Sequence, residues 1–336
     1  MKFDVLIPHY KERAEEVEPL LDSIAIQQNV NMDDIGVIIC HDGDESPDLV
    51  FNREYPFHIT QIRQEHNGVS AARNSAMDAS EADYVMFCDA DDMFYNACGL
   101  WILFREMATG FDSLVSVFVE ETRMPGTKEV MYINHETDST FVHGKVHRLG
   151  YLREQNIRFN DNLTIHEDSY FNILCQNLSE NVKYCQTPFY LWRWRDNSVC
   201  RHDPKYILKT YRNMLDSNDA LIDEFIRRGM MEKAMFYCTM MIFDAYYTMN
   251  KPEWVNQENK EYRDSTELRF ADYFLKHESL WNSVGLQDKM VISNGVRSRS
   301  VSEGMLMEAV TVDQWLTHIK KLKAPKRKRA KASVSR

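Results

Sequence analysis

Residues Tyr84 to Phe94 read YVMFCDADDMF. The apolar run Tyr84-Val85-Met86-Phe87-Cys88 has the character of a fully buried strand, and it stops abruptly at three carboxylates, Asp89, Asp91 and Asp92. Such a cluster must be solvated, paired or bound to a cation. At the carboxyl end of a strand in an open α/β sheet, where ligand crevices form, oxygen-only ligands suit a hard divalent ion that can also hold a diphosphate. Asp89-Ala90-Asp91 is therefore a candidate metal and sugar-nucleotide motif. Taken alone, the same residues also fit an acidic strand-to-helix turn with Asp as the N-cap.

The chain before this motif alternates strands and helices. Phe3 to Ile7 is a short strand stopped by Pro8, and Glu12 to Gln28 carries Val17, Leu20, Leu21 and Ile24 at helical spacing. Ile35 to Cys40 is a second strand, ending in the polar turn His41-Asp42-Gly43-Asp44, and Phe57 to Arg63 is a third. Asn67-Gly68 then turns into a helix, Val69 to Met77, that leads to the strand before the carboxylates. This order predicts a parallel, doubly wound sheet whose strand ends form the ligand crevice.

Four pieces of this region resemble glycosyltransferase family 2 in the family's order. Val5-Leu6-Ile7-Pro8-His9-Tyr10 is similar to its "V-P-x-Y-N" opening and Ile38 to Asp44 to its "v-x-D-G-S" turn. Asn67-Gly68-Val69-Ser70-Ala71-Ala72-Arg73-Asn74 resembles "N-x-G-x-s-x-A-R-N", and Phe87 to Asp92 resembles "f-l-D-x-D-D". The departures are His9, Lys11, His41 and Asp44. The resemblance implies an α/β GT-A (Rossmann-like) nucleotide-diphosphosugar transferase fold, an inverting reaction and a metal-assisted UDP-sugar donor. It would place Pro8 and Tyr10 against the base and Asp42 as acceptor for a uracil-type imide N–H. Asp91 would be the principal metal ligand, with Asp89 toward the ribose or the metal's water shell, for Mn²⁺ or Mg²⁺. Arg73 would hold the loops around the nucleotide or reach a phosphate, since a guanidinium does either; a surface ion pair is its plainer role.

Further along, His143-Gly144-Lys145 and Ile157-Arg158-Phe159 resemble the family's "G-K-x-y-r" segment and "I-r-F" strand. Lys145 would line the acceptor or phosphate side, or be a surface lysine. His166-Glu167-Asp168 resembles its "E-D" motif, in which the Asp deprotonates the acceptor hydroxyl. In-line attack needs one carboxylate opposite the leaving diphosphate, so Asp168 is the expected base and Glu167 its orienter or substitute; an acidic helix N-cap is the alternative. Gln186 to Ser198 resembles a closing strand and loop, with Arg193 and Arg195 toward the diphosphate or an anionic acceptor and Trp192 and Trp194 as stacking platforms. His202 is a candidate extra metal ligand. Between these motifs, Val130 to Ile133 is expected to pair with a strand near Phe141-Val142.

The resemblance stops near residue 203, so the expected organisation is a catalytic domain over 1–202, a helical region over 203–319 and a basic, disordered tail over 320–336. Helices are expected over Tyr206 to Arg228, Met231 to Met249, around Glu267 to Lys276 and over Met305 to Leu322, with the Met-rich and aromatic runs in the core. The formal net charge is −11, yet nine basic residues and no acidic one lie between Lys320 and Arg336. A tail of that kind suits nucleic acid, anionic lipid or another polyanion, or folds back on its own acidic body. Seven cysteines without a CxxC pair indicate neither a disulfide framework nor a zinc site. No signal-peptide core and no membrane-length apolar run is visible, which predicts a cytoplasmic protein.

The acceptor implied by the family is a glycan or glycoconjugate hydroxyl, and the basic tail admits hydroxymethylated bases of phage-type DNA as an alternative. A sugar nucleotidyltransferase would need a Gly-rich N-terminal loop with a basic residue, which HYKERAEE lacks. A non-catalytic scaffold on the same fold would be expected to lose the metal carboxylates or the base, and Asp89, Asp91 and Asp168 are all present.

Overall fold

The computed structural model describes residues 1–124, 126–136, 138, 140–195, 205–300 and 311–323. The chain divides into two compact units, Met1–His202 and Asp203–Arg336.

The first unit is built on a nine-stranded sheet. Strands β1 (Phe3–His9), β2 (Ile35–Asp42), β3 (His58–Gln64) and β4 (Tyr84–Phe87) are parallel, with β1 between β2 and β4. The chain therefore builds outward from β1 to β3 and then returns to the other side of β1. That reversal is the switch point of an open α/β sheet, and it puts the ends of β1 and β4 on either side of a crevice. Helix α1 (Ala14–Ala25) closes one face because Val17, Leu20, Leu21 and Ile24 form one buried stripe over Phe3, Val5, Val37 and Ile39. Helix α2 (Val69–Ala79) packs on β1 and β2 and starts at the crevice.

Beyond β4 the sheet is mixed, which corrects the all-parallel expectation. Strand β8 (Lys145–Arg148) runs antiparallel to β4, and β6 (Ser113–Arg123) is antiparallel to β8 and parallel to β9 (Val182–Trp192). The short β5 (Met93–Phe94) is antiparallel to β9. Because β8 is reversed, its first residues lie beside the last residues of β4. Strand β7 (Val130–His135) pairs with β6, in register Phe118 to His135, and not with Phe141-Val142 as expected. Those two residues are held instead by side chains: Asp138 accepts from the Phe141 N–H at 3.0 Å, and Asn172 donates to the Phe141 carbonyl at 2.9 Å. The expected strand at Ile157-Arg158-Phe159 is likewise absent, since the Phe159 N–H donates to the Asn74 side chain at 3.0 Å rather than to a ladder. Helices α3 (Gly99–Ala108), α4 (Leu149–Glu154) and α5 (Glu167–Asn177) complete the unit.

The second unit is helical: Tyr206–Arg227, Met231–Met249, Lys260–Ser283, Leu286–Ser300 and Val312–Lys323 are its long segments. Met241, Ile242 and Phe243 are core residues as expected, whereas Phe236 is 44% exposed. The basic segment does not begin at a helix end. Trp315, Leu316 and Ile319 bury one face of the last helix, and Lys320 and Lys323 reach Glu278 and Asp272, so helical structure continues to Lys323. Residues 324–336 of the basic tail lie outside the described residues. Among the described residues no helix is long and apolar enough to cross a membrane.

Candidate active site

Parallel β1 to β4 bring four carboxyl ends to one edge, and a cavity of about 400 Å³ opens there. Its lining includes Pro8, Tyr10, Asp42, Arg73, Asp89 and Asp91, six of the residues singled out in the sequence. Tyr10 stacks on His66 at 4.7 Å and donates its hydroxyl to Glu45 at 3.2 Å, so the aromatic wall is held in place.

Asp42, at the end of β2, lines the cavity and is held by the turn that follows β3. One carboxylate oxygen accepts from the Asn67 N–H and the Gln64 amide, both at 2.9 Å. The other accepts from the Gly68 N–H at 2.9 Å and lies 2.9 Å from His66 Nδ1. Three hydrogen bonds and the nearby His66 ring thus hold the carboxylate at the rim of the cavity. What Asp42 does in this structure is shape the turn into α2, where Gly68 adopts a φ of +87° that favours glycine.

Arg73 is the junction of the site. Its guanidinium, 4% exposed, donates to Glu167 Oε1 at 2.8 Å and to Asp89 Oδ1 at 3.0 Å. A residue on α2 thus joins the carboxylates after β4 to those at the start of α5, and the surface-pair alternative is excluded by burial. Its neighbour Asn74 pins the preceding loop through Phe159 and Asp161, which explains why the Arg-Asn pair is a unit.

The carboxylates differ sharply. Burial opposes the charge of Asp89, but Arg73 outweighs it and holds the carboxyl below its ordinary range. Burial and the Asp89 charge push Asp91 up to about 6, although Arg195 pairs with it at 2.5 Å. Asp92 is fully buried, accepts from the Tyr190 hydroxyl at 2.5 Å and the Arg193 N–H at 2.9 Å, and is pushed up by burial and its two neighbours. Asp168 is pushed up to about 7, first by burial and then by Glu167, against the pull of Arg73. Proton acceptors work best near the ambient pH, and this is where Asp168 sits.

Sequence reading missed His143. The reversed β8 brings it against Tyr190, stacked at 4.7 Å, and places a ring nitrogen within 4.8 Å of carboxylate oxygens of Asp89 and Asp92. Burial holds its pKa down at about 3, so the ring is neutral, and Nδ1 has no hydrogen-bond partner. The preceding motif contained a signal: Gly144 has φ +66° and any Cβ there would lie 2.5 Å from Ser116 Oγ, so this turn admits only glycine. Lys145 is not a surface lysine. It is 1% exposed, its Nζ has no hydrogen-bond partner, its nearest carboxylate is Asp138 at 3.9 Å, and burial lowers its pKa to about 8. It does not line the cavity. His202 lies outside the described residues.

Hard oxygen donors and a neutral, unpartnered imidazole around one point fit a divalent cation. The arrangement as a whole defines an α/β domain with an acidic metal-type edge at its strand ends and a separate, elevated carboxylate. The comparisons with known proteins give that class a family: residues 4–176 match the model of "Glycosyl transferase family 2". The chain belongs to glycosyltransferase family 2, a family of transferases, and its first unit has the GT-A fold.

Among relatives, the putative glycosyltransferase EpsH of Bacillus subtilis is 24% identical over 221 residues, 59% of this chain and 63% of that protein. The minor teichoic acid biosynthesis protein GgaB of the same organism is 28% identical over 206 residues, 54% of this chain and 21% of its own length. The chain thus matches less than two thirds of the length of either relative. Residues 1–349 of S. aureus TarS, solved with UDP, superpose with a TM-score of 0.58 at 14% identity, covering 96% of this chain and 90% of that one. The same segment solved with UDP-GlcNAc gives 0.57 at 14% identity, covering 89% and 93%.

Proposed function

We propose that this protein is an inverting glycosyltransferase that moves a sugar from a UDP-sugar to a hydroxyl of a glycan or glycoconjugate. The observation that carries the reading is the Arg73 bridge, which ties the Asp89 carboxylate at the cavity to Glu167, next to the elevated Asp168. Donor site and base are then mechanically one object, as an in-line displacement requires. The UDP and UDP-GlcNAc complexes of TarS, together with the teichoic acid relative, support a uridine donor and a glycan-type acceptor.

In this reading Pro8 and the fixed Tyr10 wall receive the base, while Asp91 and Asp89 would hold Mn²⁺ or Mg²⁺, Asp89 being the member of the Asp89–Asp92–His143 group that also lines the cavity. When bound, the cation supplies positive charge for the departing diphosphate. Arg195, which pairs with Asp91, would add its own positive charge there. Asp168 takes the proton of the attacking hydroxyl at its carboxylate oxygen. Glu167 and Arg73 orient it and temper its charge.

Calorimetric titration of the protein with UDP and then UDP-sugars, with and without Mn²⁺, tests the donor site. Metal-dependent binding by wild type and its loss in Asp91→Ala is the expected result. A folded protein that binds no nucleotide would overturn the reading. An acceptor screen with the preferred donor should include hydroxymethylated DNA beside glycans, since sugar transfer to DNA alone would replace the acceptor assignment.

A further inference from the structure

Two of the departures from the family motifs, His9 and His41, turn out to be one structural feature. They are the last facing residues of β1 and β2. Their rings meet edge to face at 88°, with Nδ1 to Nδ1 at 2.8 Å, and they are 1% and 3% exposed. On the outer sides, His9 Nε2 lies 2.6 Å from the Glu12 carbonyl oxygen, and His41 Nε2 lies 2.9 Å from Gln61 Oε1. The Gln61 amide is oriented by its own bond, donating from Nε2 to the Leu49 carbonyl at 3.1 Å.

The proton count follows from these partners. Both outer oxygens only accept, so each outer nitrogen must carry a hydrogen, and the contact between the rings needs a third. Two neutral imidazoles supply one N–H each, so the network is one proton short unless the pair is charged. We infer that His9 and His41 share an additional proton and act as a single buried cation beside the cavity, where they position the diphosphate of the nucleotide. The pair itself follows from the hydrogen bonds; its ligand rests on the function proposed above.

The surroundings leave this charge for a ligand. On β3, Arg63 is paired with Asp48 at 2.6 Å. Asp42, next to His41, is engaged by the turn into α2 and by His66. Glu12 turns its carboxylate to the N–H groups of Tyr10 and Lys11. Arg73 and Asp89, across the cavity, pair with each other. Burial leads in holding the His41 pKa below its ordinary value, with His9 and Arg63 adding to it, and the Gln61 bond and the Asp48 charge work the other way, so the proton count set by the hydrogen bonds has to prevail over desolvation. Without the third proton, Gln61 must either present its oxygen to a ring lone pair or flip and abandon the Leu49 carbonyl. The cation exists at low pH and is lost as pH rises, so nucleotide affinity falls with rising pH. A base such as Asp168 has the opposite dependence.

The test uses the whole protein without nucleotide, labelled with ¹⁵N only in histidine, and reads the protonation of each ring nitrogen by NMR at about pH 6. His9→Asn and His41→Asn assign the two rings. Three protonated nitrogens shared by the pair are expected; two singly protonated, neutral rings would overturn the inference. Calorimetry with UDP and Mn²⁺ gives the second readout. From about pH 6 to about pH 8, wild type should lose about tenfold in affinity relative to His41→Asn. That difference removes the titration of Asp91 and of the nucleotide, which both molecules share. Equal pH dependence in the two proteins would overturn the role in nucleotide binding. No nucleotide binding at all would instead overturn the proposed function, with the NMR count still deciding whether the pair is charged.

Discussion

Among the described residues, two clusters of two aspartates and a histidine have ligand-type atoms within 4.8 Å of one another, one in each compact unit. In the helical unit, Asp219 meets Arg269, Lys276 and His277 at 2.7, 2.7 and 2.6 Å, and Lys276 also reaches Asp223 at 2.6 Å. Burial opposes the Asp219 charge, but these partners outweigh it and hold the carboxyl well below its ordinary range. In the sheet unit, Arg73 pairs with Asp89 and Glu167 and Arg195 with Asp91, while Asp92 accepts from the Tyr190 hydroxyl and the Arg193 N–H and Asp168 from the Ser169 N–H. Burial first, and then the neighbouring carboxylates, push Asp91, Asp92 and Asp168 up. The same residue types therefore make a finished ion-pair network in one place and, among the described residues, a carboxylate-rich site with elevated acids in the other. Charge balance, rather than spacing, separates a structural cluster from a functional one.

The sharpest way to press this contrast is through the base. Asp168→Asn should lower kcat by about 10²- to 10⁴-fold while leaving nucleotide binding unchanged in calorimetry. Loss of binding together with rate would mean that Asp168 supports the donor site instead. The wild-type rate should fall as pH drops through about 7, because Asp168 must be ionised to accept a proton. A pH–rate profile without that acidic limb would remove Asp168 as the base.

Metal addition separates the clusters directly. Mn²⁺ at 100 times its dissociation constant should stabilise wild type by about 2.7 kcal/mol in urea melts. The same gain is expected in Asp219→Asn and none in Asp91→Asn; the reverse pattern would place the cation in the helical unit. Asp219→Asn should itself cost about 2 kcal/mol, because Arg269, Lys276 and His277 lose a shared carboxylate. Its folded pKa lies below the unfolded one, so this contribution is present above the unfolded value and fades as pH falls.

The smallest effect has the opposite sign. The folded pKa of Asp91 lies above its unfolded value, so its charge costs stability at neutral pH and ceases to cost once protonated. Asp91→Asn should therefore raise the stability of the metal-free protein by about 1 kcal/mol, in the same urea melts. A destabilised Asp91→Asn would show that the Arg195 pair is structural and would erase the contrast.

Much of the site was legible because its pieces are local. Asp89, Asp91 and Asp92 stand at the end of one apolar run, Arg73 and Asn74 lie in one helix after Asn67-Gly68, and Glu167-Asp168 opens another. What was missed depends on partners far apart in sequence. His143 is defined by Tyr190, Asp89 and Asp92; Lys145 is buried because β8 is an interior strand of the sheet; His9 and His41 were visible only as two separate oddities. The hold on Asp42 was invisible for the same reason, since its three hydrogen bonds come from β3 and the turn after it.

The sequence by itself determined that β1, β2 and β4 are buried, where they end and which charged residues those ends carry, because these follow from local periodicity and residue chemistry. Strand order and direction were decided only in the tertiary structure. They set which carboxylates receive a cation and which do not. Desolvation and pairing act over a few ångströms in space, and no pattern along the chain records which residues come that close.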